Sequence, residues 1–241
     1  FARTYTDADN SNTVSTDTIK NVVNVVAREN TGLCPEEFCQ VLARRYFDTY
    51  PQVSAVAITS HETRWIRLSL AGTPHPHSFV LDGNGKPTVE ITAARGGPTT
   101  MRSGIDGFAF MKSTQSGWEN YLKDRYTTLP ETSDRICATS MVASWTWSGK
   151  PVSYPASNAK ILDTLLDVFS NSYSWSVQDS LYRMGEAALA AVPEISEISM
   201  ACPNIHFIPI NLSAFGLDNN NQVFLPTDEP QGQIECTVGR G

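Results

Sequence analysis

The chain has 241 residues, 41% of them hydrophobic and 18% charged, enough to bury one large or two modest globular cores. A formal net charge of -7 and the lack of any Lys/Arg block argue against nucleic acid as a partner, and no apolar run approaches the roughly 18 residues that span a bilayer. The five cysteines, Cys34, Cys39, Cys137, Cys202 and Cys236, form no CxxC pair, so buried thiols of a reducing compartment are expected in place of disulfides or a zinc site.

The opening FARTYTDADN holds neither an initiator Met nor the apolar core of a signal peptide. Beyond it Ile19, Val22, Val23 and Val26 recur at helical spacing, which predicts a helix over residues 17–30 capped by Thr16 or Asp17. A second helix is predicted from Pro35, suited to a first turn, to about residue 50, with Phe38, Val41 and Leu42 as its apolar stripe. Strands are expected at 53–59, 64–70, 77–81 and 88–94, and Gly96-Gly97-Pro98 ends the run. The second half reads as a strand at 105–112, a short helical piece at 117–126 led by Trp118, and a strand at 135–147 opened by Arg135. Two helices follow. One, at 159–169, carries Leu162, Leu165, Leu166 and Phe169, and the other, at 177–192, carries Leu181, Met184 and Ala188. Strands at 195–200, 204–212, 222–225 and 233–238 close the chain.

The order helix, helix, strands thus occurs twice, offset by roughly 140 residues, as two copies of one ββααββ unit would give. The expected domains are 1–97 and 98–241. On this view the first copy lacks its opening hairpin, a piece of about 30 to 50 residues with its loop, and a segment of that size is expected ahead of Phe1 in the intact protein. A sheet lacking that hairpin exposes an edge or a bare face, which closure of several subunits into a barrel would cover.

Four segments carry chemistry. In PNIHFIPINL, Asn204 and His206 stand two apart in a predicted strand, so amide and imidazole share a face ahead of Ile208, Ile210 and Leu212; the alternative is a polar strand end meeting water. In NSNTVSTDTIKN, Thr16 and Asp17 lie at a helix N-terminus, where free N–H groups favour an anion; the alternative is a plain cap. Arg135 offers a planar fork for a flat anion and Trp118 a face for a planar ring; alternatively, Trp118 is core and Arg135 pairs with Asp134. Gln178, in the first turn of a helix, offers a donor and an acceptor side by side, or simply faces solvent. Together they suit a flat, polar, anionic heterocycle better than a sugar, peptide or nucleotide. GGP and GNG lack phosphate-loop and dinucleotide spacing, and no GxSxG elbow occurs. His75 and His77 in HPHSF have no nearby Cys or carboxylate to complete a ligand set, so no metal is expected.

On TDADNSNTVSTDTIKN, HPHSF, KSTQSG, DRYTTLPETSDRI, LYRMGEAALAAVPEI, PNIHFIPINLSAFGLDNNNQVF and PQGQIECTVGR, nearly end to end, the chain resembles the urate oxidase (uricase) family. The resemblance implies an α+β fold of two tandem T-fold (tunnelling-fold) domains, with antiparallel sheets and helices on one face. It implies a homotetramer forming a barrel, with active sites at subunit interfaces. It implies oxidation of urate by dioxygen to 5-hydroxyisourate and hydrogen peroxide with no cofactor. Arg135 and Gln178 would grip the urate edge from opposite ends, and Val177 would add a backbone N–H. Trp118 stands where the family usually has the Phe that stacks on the ring. Thr16 and Asp17 would come from the neighbouring subunit, Asn204 would hold dioxygen or water above the ring, His206 would relay protons with Thr16, and Ile234 would line the pocket.

The family's relay also takes a Lys from a strand ahead of where this chain begins. Lys20, four residues after Thr16, is not a substitute. A polypeptide truly starting at Phe1 is expected to be weak or inactive, so a urate-binding homologue without turnover is one alternative. A metal-dependent pterin or purine enzyme of the same fold is another, and the scarcity of His and Cys near a common motif weighs against it. The closing GRG is not a peroxisomal tripeptide; a bacterial cytoplasmic setting is expected, or a peroxisomal one in a eukaryote.

Overall fold

The computed structural model describes residues 2–227 and 232–240; Phe1, Gly241 and, from the last quoted motif, Pro230 and Gln231 lie outside the described residues. The chain forms two compact units, Phe1–Glu62 with Thr88–Ser103, and Thr63–Pro87 with Gly104–Gly241.

The first unit opens with a single helical turn, α1 (Arg3–Thr6), followed by α2 (Thr16–Glu29) and α3 (Pro35–Thr49). Ser15, not Thr16 or Asp17, caps α2: its backbone is extended and its Oγ accepts the Thr18 N–H at 3.2 Å. A cap needs a non-helical backbone, and Thr16 is already helical. The predicted stripe holds. Val26 is buried with Leu42 and Tyr46, and Val22, Val23, Phe38 and Val41 pack around them, while Ile19 lies at the margin, 41% exposed. The Tyr46 hydroxyl ties the helices together, donating to the Ile19 carbonyl at 3.0 Å.

After α3 come β1 (Ala55–His61), the hairpin β2 (Trp65–Leu70) and β3 (Thr73–Leu81), and β4 (Lys86–Ala94). β1 and β4 pair antiparallel, Ala55 opposite Ala94 through His61 opposite Thr88. Val89, Ile91 and Ala93 of β4 are buried, the period of two that one covered sheet face requires. The β2–β3 hairpin belongs to the second unit and turns at Ala71 and Gly72, both with positive φ.

β5 (Thr99–Lys112) runs from the first unit into the second, which continues with β6 (Cys137–Trp147), α4 (Tyr154–Asn171), α5 (Val177–Ala191) and β7 (Ile195–Pro203). β8 (Phe207–Pro209), a 3-10 turn at Ser213–Phe215, β9 (Phe224–Pro226) and β10 (Gln233–Gly239) follow. β7 lies between β6 and β10, antiparallel to both: Met200 faces Ala143 on one side and Cys236 on the other. Ile161, Leu165 and Phe169 of α4 and Leu181, Met184 and Ala188 of α5 are buried, as are Trp145, Ile198 and Met200 of the sheet. The buried line of α4 runs through Ile161, Leu165 and Phe169, one residue from the centre of the predicted stripe, which leaves Leu162 and Leu166 half-buried at its edge; the helix also starts earlier than expected, at Tyr154 with Ser153 as cap.

One order of elements therefore appears twice: two helices, a strand, an inserted hairpin and a strand. α2 and α4 begin at Thr16 and Tyr154, α3 and α5 at Pro35 and Val177, β1 and β7 at Ala55 and Ile195, β4 and β10 at Lys86 and Gln233.

Three further expectations are corrected. Residues 117–126 are not helical. Trp118 exchanges both main-chain hydrogen bonds with Thr132, at 2.7 and 3.1 Å, and Asn120 has φ 59°, a left-handed value outside any right-handed helix. Residues 204–212 do not form one strand: the amide of Asn204 bonds to Gly232, that of Ile205 to Ala138 and that of His206 to the Thr227 hydroxyl, and only Phe207–Pro209 is regular strand, paired to β9. Pro203 and Pro209, without N–H groups, bound the stretch where the partner changes. Arg135 does not open β6, which starts at Cys137; its amide turns to Ser116. Among the described residues no helix is long and apolar enough to cross a membrane.

Candidate active site

In the second unit a ladder of irregular backbone holds most of the candidate residues. The middle rung is residues 115–118. On one side Arg135 N donates to Ser116 O at 2.9 Å, and Thr132 and Trp118 pair as described. On the other, Gly117 N donates to Ser174 O and Ser174 N to Gln115 O, both at 3.0 Å. Two residues past Ser174, Ser176 caps α5, its Oγ accepting the Asp179 N–H at 3.0 Å. The first helical residues are Val177, half-buried, and Gln178, exposed, at the end of a helix where main-chain N–H groups are left without intrahelical partners. Three residues past Arg135, Ala138 bridges Ile205, setting Asn204 and His206 on either side of that contact. Ile234 on β10 lies opposite Cys202. Trp118, Arg135, Val177, Gln178, Asn204 and His206 are thus linked by main-chain hydrogen bonds between segments distant in sequence.

Two cavities divide these side chains. Arg135 and His206 line one of about 490 Å3, with Leu129, Phe207 and Phe224 among its walls. The Arg135 Nε is buried and has no hydrogen-bond partner among the described residues, and Asp134, the alternative mate of Arg135, instead accepts from Thr114 Oγ1 at 2.7 Å. Burial, and after it the charge of Arg135, lowers the pKa of His206 from its ordinary 6.5, which keeps the imidazole neutral and able to accept a proton at neutral pH. Val177 and Asn204 line the other cavity, about 20 Å3 and walled chiefly by apolar side chains. Asn204 and His206 therefore line different cavities. Trp118 is half-buried and stacks on Tyr121, ring centroids 5.6 Å apart and planes 11° apart.

In the first unit Thr16 and Asp17 are exposed in the first turn of α2, and Asp17 Oδ2 accepts from Asn21 Nδ2 at 3.0 Å. The His75 and His77 rings meet edge-on at 4.6 Å on β3. All five cysteines are free thiols, with Cys39, Cys137 and Cys202 buried.

Two cations escaped the sequence reading. Lys112 donates from Nζ to the carbonyls of Phe169 and Ser172, and Arg183 to the carbonyl of Tyr173 and to Asp179. Both lie in quoted motifs, KSTQSG and LYRMGEAALAAVPEI, but their partners are mostly main-chain oxygens, which every residue carries and no side-chain pattern reveals.

The Uricase family model matches residues 1–92 and 101–235. A uricase of Arabidopsis thaliana is 41% identical over 250 residues, covering 96% of this chain and 81% of its own length. A uricase of Dictyostelium discoideum is 35% identical over 241 residues, covering 100% of this chain and 84% of its own. The crystal structure of uricase from Arthrobacter globiformis superimposes with a TM-score of 0.92 at 34% identity, over 99% of this chain and 81% of that one. The repeated element order is therefore that of two tandem T-fold units, and the chain belongs to the uricase family, oxidoreductases that act on urate.

Proposed function

We propose that the intact protein oxidises urate with dioxygen to 5-hydroxyisourate and hydrogen peroxide, with no cofactor. The observation that carries the reading is the Arg135 guanidinium, whose buried Nε has no partner among the described residues and which lines a roomy cavity with His206. A buried cationic donor left unpaired is costly unless an anion completes it, and a flat urate anion suits the fork.

Arg135 and Gln178 hold opposite ends of the urate edge, the Val177 N–H binds a ring heteroatom, Trp118 stacks on the ring and Ile234 closes the wall. Asn204 holds dioxygen, and later water, over the ring. Thr16 and Asp17 of a neighbouring subunit complete the site in a homotetramer. The domains 1–97 and 98–241 are the two T-fold copies.

Urate deprotonated in a water-poor cavity is electron-rich, and Arg135 offsets its charge. The anion passes two electrons to dioxygen through a peroxide at the ring, two protons follow, and hydrogen peroxide leaves. Water then adds to the oxidised ring, giving 5-hydroxyisourate, so that urate, dioxygen and water yield the product and one hydrogen peroxide. Neutral His206 and the Thr16 hydroxyl move the protons, and the clasp holds the reactants in register.

The purified intact protein, with whatever precedes Phe1, incubated with urate under air is expected to bleach the urate ultraviolet band and release one peroxide per urate, at a rate unchanged by a chelator. Urate that persists, or a rate that chelation abolishes, overturns the reading. Light scattering is expected to give four times the mass of one subunit.

A further inference from the structure

The connection from α4 to α5, residues 172–176, has no regular structure of its own beyond the single bridge at Ser174, yet it delivers Val177 and Gln178. Its carbonyls are held from outside. Lys112, from β5, reaches the last turn of α4 and donates to Phe169 O at 3.2 Å and Ser172 O at 2.8 Å, with its ammonium 4.8 Å from the centre of the Phe169 ring. Arg183, from the second turn of α5, bends back to donate to Tyr173 O at 2.7 Å and to Asp179 in the first turn at 2.5 Å. Gly117 N takes Ser174 O, and the Tyr173 hydroxyl donates to Ser133 O at 2.7 Å.

Both cations are partly buried, a costly arrangement for Lys112, whose acceptors are neutral carbonyls, while Arg183 has the Asp179 carboxylate to offset its charge. For Lys112 burial is the main cause that lowers its pKa, and the charge of Arg183 adds to it, opposed by Cys137. A helix C-terminus favours a cation, but one supplied from the same helix would serve that purpose. Here Lys112 joins the end of α4 to β5, and Arg183 joins the connection to the start of α5.

We propose that Lys112 and Arg183 are positioning residues for urate: by fixing residues 172–176 they set the direction of the α5 N-terminus, so that the Val177 N–H and the Gln178 amide meet the ring in one orientation. This rests on the assignment of Val177 and Gln178 to the urate edge. Neither cation touches the substrate; each acts through the backbone it holds.

The test is a double-mutant cycle on the whole protein, read as the urate Kd by difference absorbance without oxygen, with thermal unfolding measured alongside. Gln178→Ala and Arg183→Met are each expected to weaken urate binding about tenfold, since small misplacements of a positioning group cost heavily. In the Gln178→Ala background, Arg183→Met is expected to cost at least about threefold less, because it acts through the group already removed. Lys112→Met is expected to behave like Arg183→Met. Arg183→Lys and Lys112→Arg, which keep the charge but alter the donor geometry, give the same comparison if the Met variants do not fold. Additive losses, or a lower Tm with unchanged urate Kd, overturn the proposal. An unchanged Kd in Gln178→Ala alone instead overturns the assignment of Gln178 to urate.

Discussion

The main-chain amide of Arg135 is bound to the carbonyl of Ser116 at 2.9 Å, so the guanidinium is anchored against the middle rung of an irregular ladder and not by the strand that follows it. The ladder is only as sound as its tightest point, which is Gly117. A Cβ there would lie 2.3 Å from the Tyr173 hydroxyl and 2.9 Å from the Thr132 carbonyl, and the second is backbone that cannot swing away. Gly117→Ala is expected to cost about 1–3 kcal/mol by overpacking and to raise the urate KM by displacing Trp118 and Arg135 together. Gly149→Ala is the control: its Cβ would meet only Glu194, at 3.9 Å, and a change within about 0.5 kcal/mol is expected. Thermal unfolding and steady-state kinetics on the two variants check the contrast.

The same ladder explains what the sequence made legible. Val22, Val23 and Val26 on α2 and Phe38, Val41 and Leu42 on α3 meet in one cluster, because helical spacing alone decides which side chains share a face. Trp118 and Tyr121 have that spacing too, and their rings do stack, but they stand on irregular backbone whose hydrogen bonds reach Thr132 and Ser174. Local spacing carries no record of such distant partners. Asn204 and His206 fail as a same-face pair for a related reason: the strand expected to align them changes partner at each residue, to Gly232, Ala138 and Thr227. Arg135 was legible as a fork seeking an anion; that its Nε is buried and unpaired among the described residues, and that its cavity is walled by Phe207 and Phe224 from far along the chain, was not.

His206 gives a prediction in pH. Burial chiefly, and the Arg135 charge second, hold its pKa below the ordinary 6.5. As pH falls through 6.5 the unfolded chain takes up the proton first, so the folded state loses stability from 6.5 down to the lowered pKa, and the loss levels off below it. Imidazole NMR is expected to show a His206 midpoint under 6.5. Arg135→Gln is expected to move that midpoint up only part of the way, because burial is the larger cause. His206→Gln is expected to flatten the dependence of unfolding on pH across this window. A midpoint at or above 6.5 contradicts the assignment of a neutral relay imidazole.

Ser15 carries the next. Its side chain accepts the Thr18 N–H and exchanges a hydrogen bond with the Thr18 hydroxyl at 2.8 Å, closing the turn that bears Thr16 and Asp17. Ser15→Ala is expected to cost about 1 kcal/mol, and Ser15→Gly only a few tenths. Because the turn frays when uncapped, Ser15→Ala is also expected to lower kcat for urate more than Ser15→Gly does. Equal kcat in the two variants, with the stability difference present, would separate the cap from catalysis.

The thiols must tolerate the peroxide that the proposed reaction releases. Cys137 and Cys202 line the small cavity with Asn204. Burial raises Cys202 to about 11, and it raises Cys137 as well, against the opposing pull of Ser116, Arg135 and Lys112. Cys39, buried on α3, is likewise raised to about 11. The thiolate is the reactive form, and at pH 8 a thiol raised to about 11, as Cys39 and Cys202 are, is ionised to only about one part in a thousand; Cys137 is buried beside Cys202. Native protein treated with iodoacetamide at pH 8 is therefore expected to leave Cys39, Cys137 and Cys202 unlabelled by mass spectrometry, with Cys236, half-buried on β10, modified first. Cys34, half-buried but also raised to about 11, is expected to lag behind Cys236 despite its similar access. Dilution into urea is expected to label all five at similar rates, because burial, the largest cause of each raised pKa, is then gone. Rapid labelling of Cys202 in folded protein would mean that the small cavity beside Asn204 opens to solvent, against a closed wall behind the residue proposed to hold dioxygen.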